Sequence, residues 1–207
     1  MRKRRFFQDY VIPKSRRGRR ALRQERRLRK WRGGIRELVI TILVAFVVVF
    51  GFIRPFVVEA YRIPSESMVP TLEVGDRILA NKFIYRFTEP KRGDIVVFDS
   101  VEGEDETLIK RVVGVAGDRV RVSRYGVLFV NGEPQEEPYL NKKDPPRYTY
   151  GPKRVPKGYI FVMGDNRGNS ADSRVFGPVP LEDVEGEAFL RFWPLSKIGS
   201  LTSSGGS

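Results

Sequence analysis

The 207-residue sequence contains neither cysteine nor histidine. Without cysteine the chain has no disulfide, thiol nucleophile or thiolate metal site, and without histidine it has no Ser-His-Asp triad and no His-based zinc site. Any hydrolytic chemistry must therefore use carboxylates, hydroxyls or lysine. The missing cysteines do not assign a redox compartment, because a cysteine-free chain tolerates either side of a membrane.

The formal net charge of +13 is concentrated at the N-terminus. Residues 1–36 hold sixteen Lys or Arg and two acidic residues, whereas the rest of the chain holds 22 basic and 23 acidic residues. This distribution excludes a basic globular domain. It leaves an arm that binds polyanions, or one that sets orientation in a membrane.

An uncharged apolar run, residues 38–53, follows this arm. Because the run comes directly after a polybasic segment, it predicts a transmembrane anchor over residues 37–56, with residues 1–36 in the cytoplasm. The alternatives are a buried core element, or a signal peptide cleaved near Val58-Glu59-Ala60.

Beyond the anchor, short β-like runs alternate with Gly and Pro, which predicts one extracytoplasmic all-β domain over residues 57–198. We expect residues 133–157 to form a long loop or extended hairpin, and residues 199–207 a disordered tail. The predicted strands are 77–83, 95–98, 108–115, 119–123, 127–130, 159–163 and 188–193.

Three stretches contain residues able to carry chemistry. In residues 63–72, Pro64 and Pro70 bracket two serines, which indicates a stiff loop suited to a hydroxyl nucleophile; an ordinary linker also fits.

Residues 108–115 place Lys110 and Arg111 among apolar residues, so one of the two cations points into an apolar environment unless the strand lies at a solvated edge. Residues 164–174 are dense in Asp, Arg, Ser and Asn, typical of a solvated loop or of a hydrogen-bonded network around a site. Calcium binding is disfavoured, because an EF-hand's closing glutamate is missing.

Together these stretches resemble the bacterial type I signal peptidases from the anchor to about Trp193. The resemblance rests on four ordered motifs: Pro64-Ser-Glu-Ser-Met-Val-Pro-Thr-Leu72, Arg92-Gly-Asp-Ile-Val-Val-Phe98, Ile109-Lys-Arg-Val-Val-Gly114 with Gly117-Asp118, and Gly164 to Arg174. Two positions depart from the family pattern. Ala116 replaces a frequent proline, and Glu66 stands where some members have glycine.

The resemblance implies a membrane-bound serine endopeptidase with Ser67 as nucleophile and Lys110 as general base. It implies an oxyanion hole from the Ser67 N–H and the Ser65 hydroxyl, and a lysine-orienting role for Ser170. We expect Arg111 to face away from the site or to pair with a carboxylate. The ionic support of the site is expected from Asp165, Arg167, Asp172 and Arg174.

The implied substrates are signal-peptide-bearing preproteins cut after small-x-small sequences, bound as an added strand. Ile63, Met68 and Ile109 flank the catalytic pair and are candidates to line its substrate pocket. We expect a bacterial plasma-membrane location with the catalytic domain outside, contact with the lipid bilayer, and no metal, cofactor or nucleic acid. The competing readings are a soluble self-cleaving repressor with the same chemistry, which the apolar run disfavours, and a non-catalytic membrane-tethered binding module.

Overall fold

The structure is a computed structural model, and it describes residues 34–53, 57–101, 103, 106–140 and 148–201. The chain divides into two compact units, Met1–Phe52 and Ile53–Ser207. Of the predicted N-terminal tail, residues 1–33 lie outside the described part, as do residues 54–56 of the predicted anchor.

The first unit contains one apolar helix, α1, which is α-helical over residues 34–47 and continues as a π-helix over Val48–Ile53. Its segment Gly34–Gly51 spans 18 residues with a mean hydropathy of 2.2, and none of it is buried by protein. At 1.5 Å per residue this segment is about 27 Å long, close to the roughly 30 Å hydrocarbon thickness of a bilayer. The helix is therefore long and apolar enough to cross a membrane.

The second unit is mostly β-sheet, as predicted. Its larger sheet has eight strands in the order β1-β2-β11-β3-β4-β9-β10, with β12 paired to β11. All of its pairings are antiparallel. The strands are β1 Val58–Arg62, β2 Arg77–Asn81, β3 Ile95–Asp99, β4 Thr107–Gly114, β9 Tyr159–Met163, β10 Val179–Pro180, β11 Val184–Trp193 and β12 Gly199–Ser200.

A smaller four-stranded sheet has the order β7-β6-β5-β8. Its strands are β5 Arg119–Val122, β6 Leu128–Val130, β7 Glu133–Pro134 and β8 Tyr150–Arg154. A one-turn helix, α2, covers Ser173–Phe176, and three 3-10 turns lie at Ile84–Arg86, Leu181–Asp183 and Leu195–Lys197.

The second unit contains three buried apolar clusters, and one of them includes residues of the serine-bearing loop. One cluster joins residues of β2, β3 and β4 with three residues of the loop after β1: Ile63, Met68 and Leu72. All three of these loop residues are at most 1% exposed. The serine-bearing loop is therefore packed as core and is not a free linker.

The predicted strands match the observed ones within a few residues, and 159–163 matches β9 throughout. Strand β1, which lacks a clear apolar alternation, was not predicted, and neither were the two-residue strands β7, β10 and β12. Strand β8 was not predicted because its sequence, Tyr-Gly-Pro-Lys-Arg, is typical of a turn. Proline is tolerated there because β8 is an edge strand.

Two expectations need correction. Residues 133–157 do not form a hairpin of their own, because β7 and β8 lie at opposite edges of the smaller sheet; residues 141–147 lie outside the described part. The tail predicted to be disordered from residue 199 is ordered at its start. Gly199–Ser200 form β12, and the Leu201 N–H donates to the Phe189 carbonyl at 2.9 Å.

Candidate active site

The loop of residues 63–72 fixes Ser67 by packing and by main-chain hydrogen bonds. The Ile63 N–H donates to the Asp76 carbonyl, and the Gly75 N–H donates to the Ile63 carbonyl, both at 2.9 Å. The Leu72 N–H donates to the Met68 carbonyl at 2.9 Å. With Met68 fully buried, the neighbouring Ser67 has a fixed main chain.

Strand β4 brings Lys110 to this serine. Lys110 Nζ lies 3.0 Å from Ser67 Oγ, to which it donates, and it also donates to the Ile109 carbonyl at 3.0 Å. Ser65 Oγ donates to Ser67 Oγ at 3.3 Å. The side chains of Ser65 and Lys110 thus both lie within hydrogen-bonding distance of Ser67 Oγ. This arrangement suits a hydroxyl nucleophile beside its base.

Burial lowers the pKa of Lys110 to about 8. Desolvation, which penalises the charged form, is the main cause, and the carboxylates of Asp172 and Glu106 act in the opposite direction. The residue is 3% exposed. A lysine with this pKa is neutral in roughly a tenth of molecules at pH 7, against about four in ten thousand for an ordinary lysine.

Arg111, the next residue along β4, pairs with a carboxylate, as expected. Its Nε and Nη2 donate to the two carboxylate oxygens of Asp165 at 2.9 and 2.7 Å, and its Nη1 donates to the Gly93 carbonyl at 2.8 Å. Thr71 Oγ1 donates to Asp165 at 2.5 Å, and the Tyr139 ring lies 4.0 Å from the guanidinium. The guanidinium is therefore bound on its edge and on one face.

A second buried pair shapes the loop of residues 164–174. Arg174 Nε and Nη2 donate to the two oxygens of Asp172 at 2.7 and 2.8 Å. The Asp172 carboxylate also accepts from the Gly164 N–H at 3.0 Å and caps α2 through the Arg174 N–H. One carboxylate thus contacts both ends of the loop, while the supporting role of Asp172 and Arg174 for the site stays a prediction.

A third pair ties this loop to the segment after β7. Arg167 Nη1 and Nη2 donate to the two carboxylate oxygens of Glu137, and Nε donates to the Gly164 carbonyl at 3.0 Å. Both side chains are less than a tenth exposed. The contact of Glu137 with Arg167 was not predicted, because nothing in the sequence distinguishes Glu137 from the nearby Glu133 and Glu136 in a segment without periodicity.

This geometry agrees with a family match across most of the chain. The family model described as "Signal peptidase, peptidase S26" matches residues 35–193. The chain belongs to this signal peptidase family. Membership confirms the resemblance found in the sequence and indicates a serine peptidase, a hydrolase.

Individual relatives agree with the family match. The chain is 45% identical to a signal peptidase I of Leptolyngbya laminosa over 80% of this chain and 83% of that protein. It is 46% identical to a probable signal peptidase I-2 of Synechocystis over 80% of this chain and 77% of the relative. A solved signal peptidase I from Enterococcus faecalis V583 is 31% identical, with a TM-score of 0.42, and matches 48% of this chain and 97% of that one.

Ser170, which the family resemblance predicts to orient Lys110, lies near the loop of residues 63–72. Its Oγ is buried and makes no hydrogen bond within the described part of the chain. A Cβ added to Gly164 would stand 2.3 Å from this Oγ and 2.4 Å from the Ser67 carbonyl oxygen. Only glycine permits this close approach of the two loops, while the orienting role of Ser170 stays a prediction.

The three apolar candidates for the substrate pocket are all buried. Ile63 and Met68 are 1% and 0% exposed, and Ile109 is 8% exposed. All three belong to one core cluster, so in this structure they support the loop and Ile109 alone retains some exposure. Among the described residues, no group of three or more acidic side chains is placed to hold a metal ion.

Replacing Lys110 by methionine should stabilise the protein at pH 7. The folded-state pKa of about 8 lies below the ordinary 10.5, so below pH 8 folding carries the cost of a buried ammonium, roughly 3–4 kcal/mol. As pH rises from 8 towards 10.5, the unfolded chain binds the extra proton, and the wild type regains this stability. Urea unfolding of Lys110→Met in detergent should therefore show a gain over wild type that shrinks between pH 7 and pH 9.5.

The exposed Lys157 provides the matched control, because Lys157→Met removes a solvated charge. Its stability should stay within about 0.5 kcal/mol of wild type. A Lys110→Met variant that is less stable than wild type at pH 7, or whose gain does not change with pH, contradicts the desolvated lysine.

Proposed function

We propose that this chain is a membrane-anchored serine endopeptidase that removes signal peptides from exported proteins, with Ser67 as nucleophile and Lys110 as general base. The observation that carries the proposal is the 3.0 Å contact between Ser67 Oγ and a buried Lys110 Nζ, in a chain of the signal peptidase family. The relatives' names support the substrate class, and the geometry supports the two residue roles.

The first chemical step is attack by Ser67 on the carbonyl carbon at the cleavage site. Neutral Lys110 accepts the hydroxyl proton as the Oγ–C bond forms. Collapse of the tetrahedral intermediate breaks the C–N bond, and Lys110 returns the proton to the leaving amine. The Lys110 amine, neutral again, then takes a proton from a water that attacks the acyl carbon. The Oγ–C bond breaks, and Lys110 returns the proton to Ser67 Oγ.

The oxyanion of the intermediate is held by the Ser67 N–H and the Ser65 hydroxyl in this proposal. Two observations support it. Ser65 Oγ lies 3.3 Å from Ser67 Oγ, and the Ser67 N–H donates no hydrogen bond to any described residue. A free donor next to the nucleophile is what an oxyanion site needs.

Substrate binds as an extended segment with small side chains before the cut. Strand β1 supports this part of the proposal, because it is an edge of the larger sheet and leads directly into the nucleophile loop. A peptide can add to such an edge by main-chain hydrogen bonds.

The anchor is helix α1, with the catalytic domain on the extracytoplasmic side of a bacterial plasma membrane. Its apolar side chains between residues 35 and 50 are exposed in the protein, and lipid would cover them. The basic residues before the helix favour a cytoplasmic N-terminus by the positive-inside rule.

Cleavage of a signal-peptide-bearing preprotein in detergent tests the catalytic assignment. Ser67→Ala and Lys110→Met should each lower kcat by about a thousandfold or more, because either change removes the nucleophile–base pair. Lys157→Met should cleave at the wild-type rate, and the wild type should cut after a small-x-small sequence. Near-normal cleavage by Lys110→Met would place the base elsewhere. A wild type that never cleaves, with binding lost on deletion of residues 1–36, would favour a binding module.

The pH profile of kcat/KM tests the base independently. Activity should rise about tenfold per pH unit at low pH and level off above about pH 8, because only the neutral lysine accepts the proton. Glu106→Gln should move this midpoint to lower pH, since the Glu106 carboxylate raises the Lys110 pKa. The exposed Glu89→Gln serves as control and should leave it in place. A midpoint near pH 6 that is the same in wild type and Glu106→Gln would contradict a lysine base.

A further inference from the structure

The peptide group between Glu66 and Ser67 is held from its carbonyl side. The Glu66 carbonyl oxygen accepts from the Val69 N–H at 3.1 Å and from Asn166 Nδ2 at 3.1 Å. In a trans peptide the C=O and N–H point in opposite directions. Both donors therefore act on the far side of the peptide group whose N–H is the proposed oxyanion donor.

Asn166 is placed for this contact by its own main chain. Its N–H donates to the Ser67 carbonyl at 3.0 Å, and the residue is 6% exposed. Its Oδ1 has no hydrogen-bond partner among the described residues. Nδ2 must face Glu66, because the opposite amide orientation would set two acceptor oxygens against each other.

We propose that the Asn166 side chain is a positioning residue for the oxyanion site. Its hydrogen bond to the Glu66 carbonyl fixes the rotation of the peptide plane and polarises the Ser67 N–H, which strengthens that N–H as a donor. The inference rests on the proposed function, since it needs Ser67 to be the nucleophile. Among the described residues, the Asn166 side chain has its hydrogen bond with the Glu66 carbonyl and none with the Ser67 hydroxyl or the Lys110 amine, so it acts on charge stabilisation and not on proton transfer.

A purely structural role for Asn166 makes different predictions. Its main-chain N–H bond to the Ser67 carbonyl survives every side-chain substitution, so the two loops stay joined. Asn169 offers a matched control in the same loop, because within the described part of the chain its Nδ2 donates to the exposed Glu66 carboxylate alone, at 3.3 Å. If these side chains only stabilise the loop, substituting either asparagine should lower kcat. If Asn166 positions the oxyanion donor, only its substitution should lower kcat.

The test compares Asn166→Ala, the similarly shaped Asn166→Leu and Asn169→Ala with the full-length wild type in detergent. Each Asn166 variant should lower kcat about 10- to 100-fold, less than the roughly 10²–10³-fold cost of losing an oxyanion donor outright. KM should stay within about twofold, and the pH midpoint should not move. A peptide aldehyde, whose hemiacetal oxygen occupies the oxyanion position, should bind Asn166 variants weaker by the same factor as the fall in kcat/KM.

The outcomes separate this inference from the proposed function. Wild-type kcat in a folded Asn166 variant, a shifted pH midpoint, or unchanged aldehyde binding overturns the positioning role while leaving the Ser67–Lys110 assignment intact. An equal loss in Asn169→Ala also overturns it. A fully active Ser67→Ala variant, run beside these, would instead reject the proposed function. Agreement of the alanine and leucine variants guards against a folding defect peculiar to one of them.

Discussion

Burial of the Lys110 amine against Ser67 Oγ is the constraint on which the rest of the site depends. A lysine in water stays protonated near neutral pH and cannot accept a proton. Removing it from water lowers its pKa to about 8 but makes the folded protein carry an unfavourable charge whenever the lysine is protonated. Packing of strand β4 and of the loop of residues 63–72 in the core offsets this cost.

The surrounding charges are arranged so that they leave Lys110 without a close carboxylate partner. Arg111 takes both oxygens of Asp165, Arg174 takes both oxygens of Asp172, and Arg167 takes those of Glu137. An unpaired buried carboxylate beside Lys110 would hold it protonated. Pairing these three carboxylates with arginines, which stay charged at any working pH, offsets their charge and joins the two loops, although Asp172 and Glu106 still raise the Lys110 pKa to a smaller extent than burial lowers it.

Much of this site was predictable from the sequence, because its residues cluster in three short, compositionally unusual stretches. Ser67, Lys110 and the Arg111 pairing follow from those stretches and the family resemblance. Glu137, Tyr139 and the Asn166 contact do not, since they depend on which loops the tertiary fold brings together. Strand β8 was not predicted either, because its Gly and Pro favour turns unless an edge position accommodates them. Ile63 and Met68 lie close to Ser67 in sequence, but their complete burial depends on tertiary packing.

The measurement that most directly tests this account is the titration of the Lys110 side chain itself. NMR of the full-length protein in detergent, labelled at lysine and assigned by the signal lost in Lys110→Met, gives that pKa without reliance on catalysis. The account predicts a midpoint near 8, well below those of the surface lysines. A midpoint near 10.5, indistinguishable from theirs, would contradict it, because a lysine that stays protonated cannot serve as the base for Ser67.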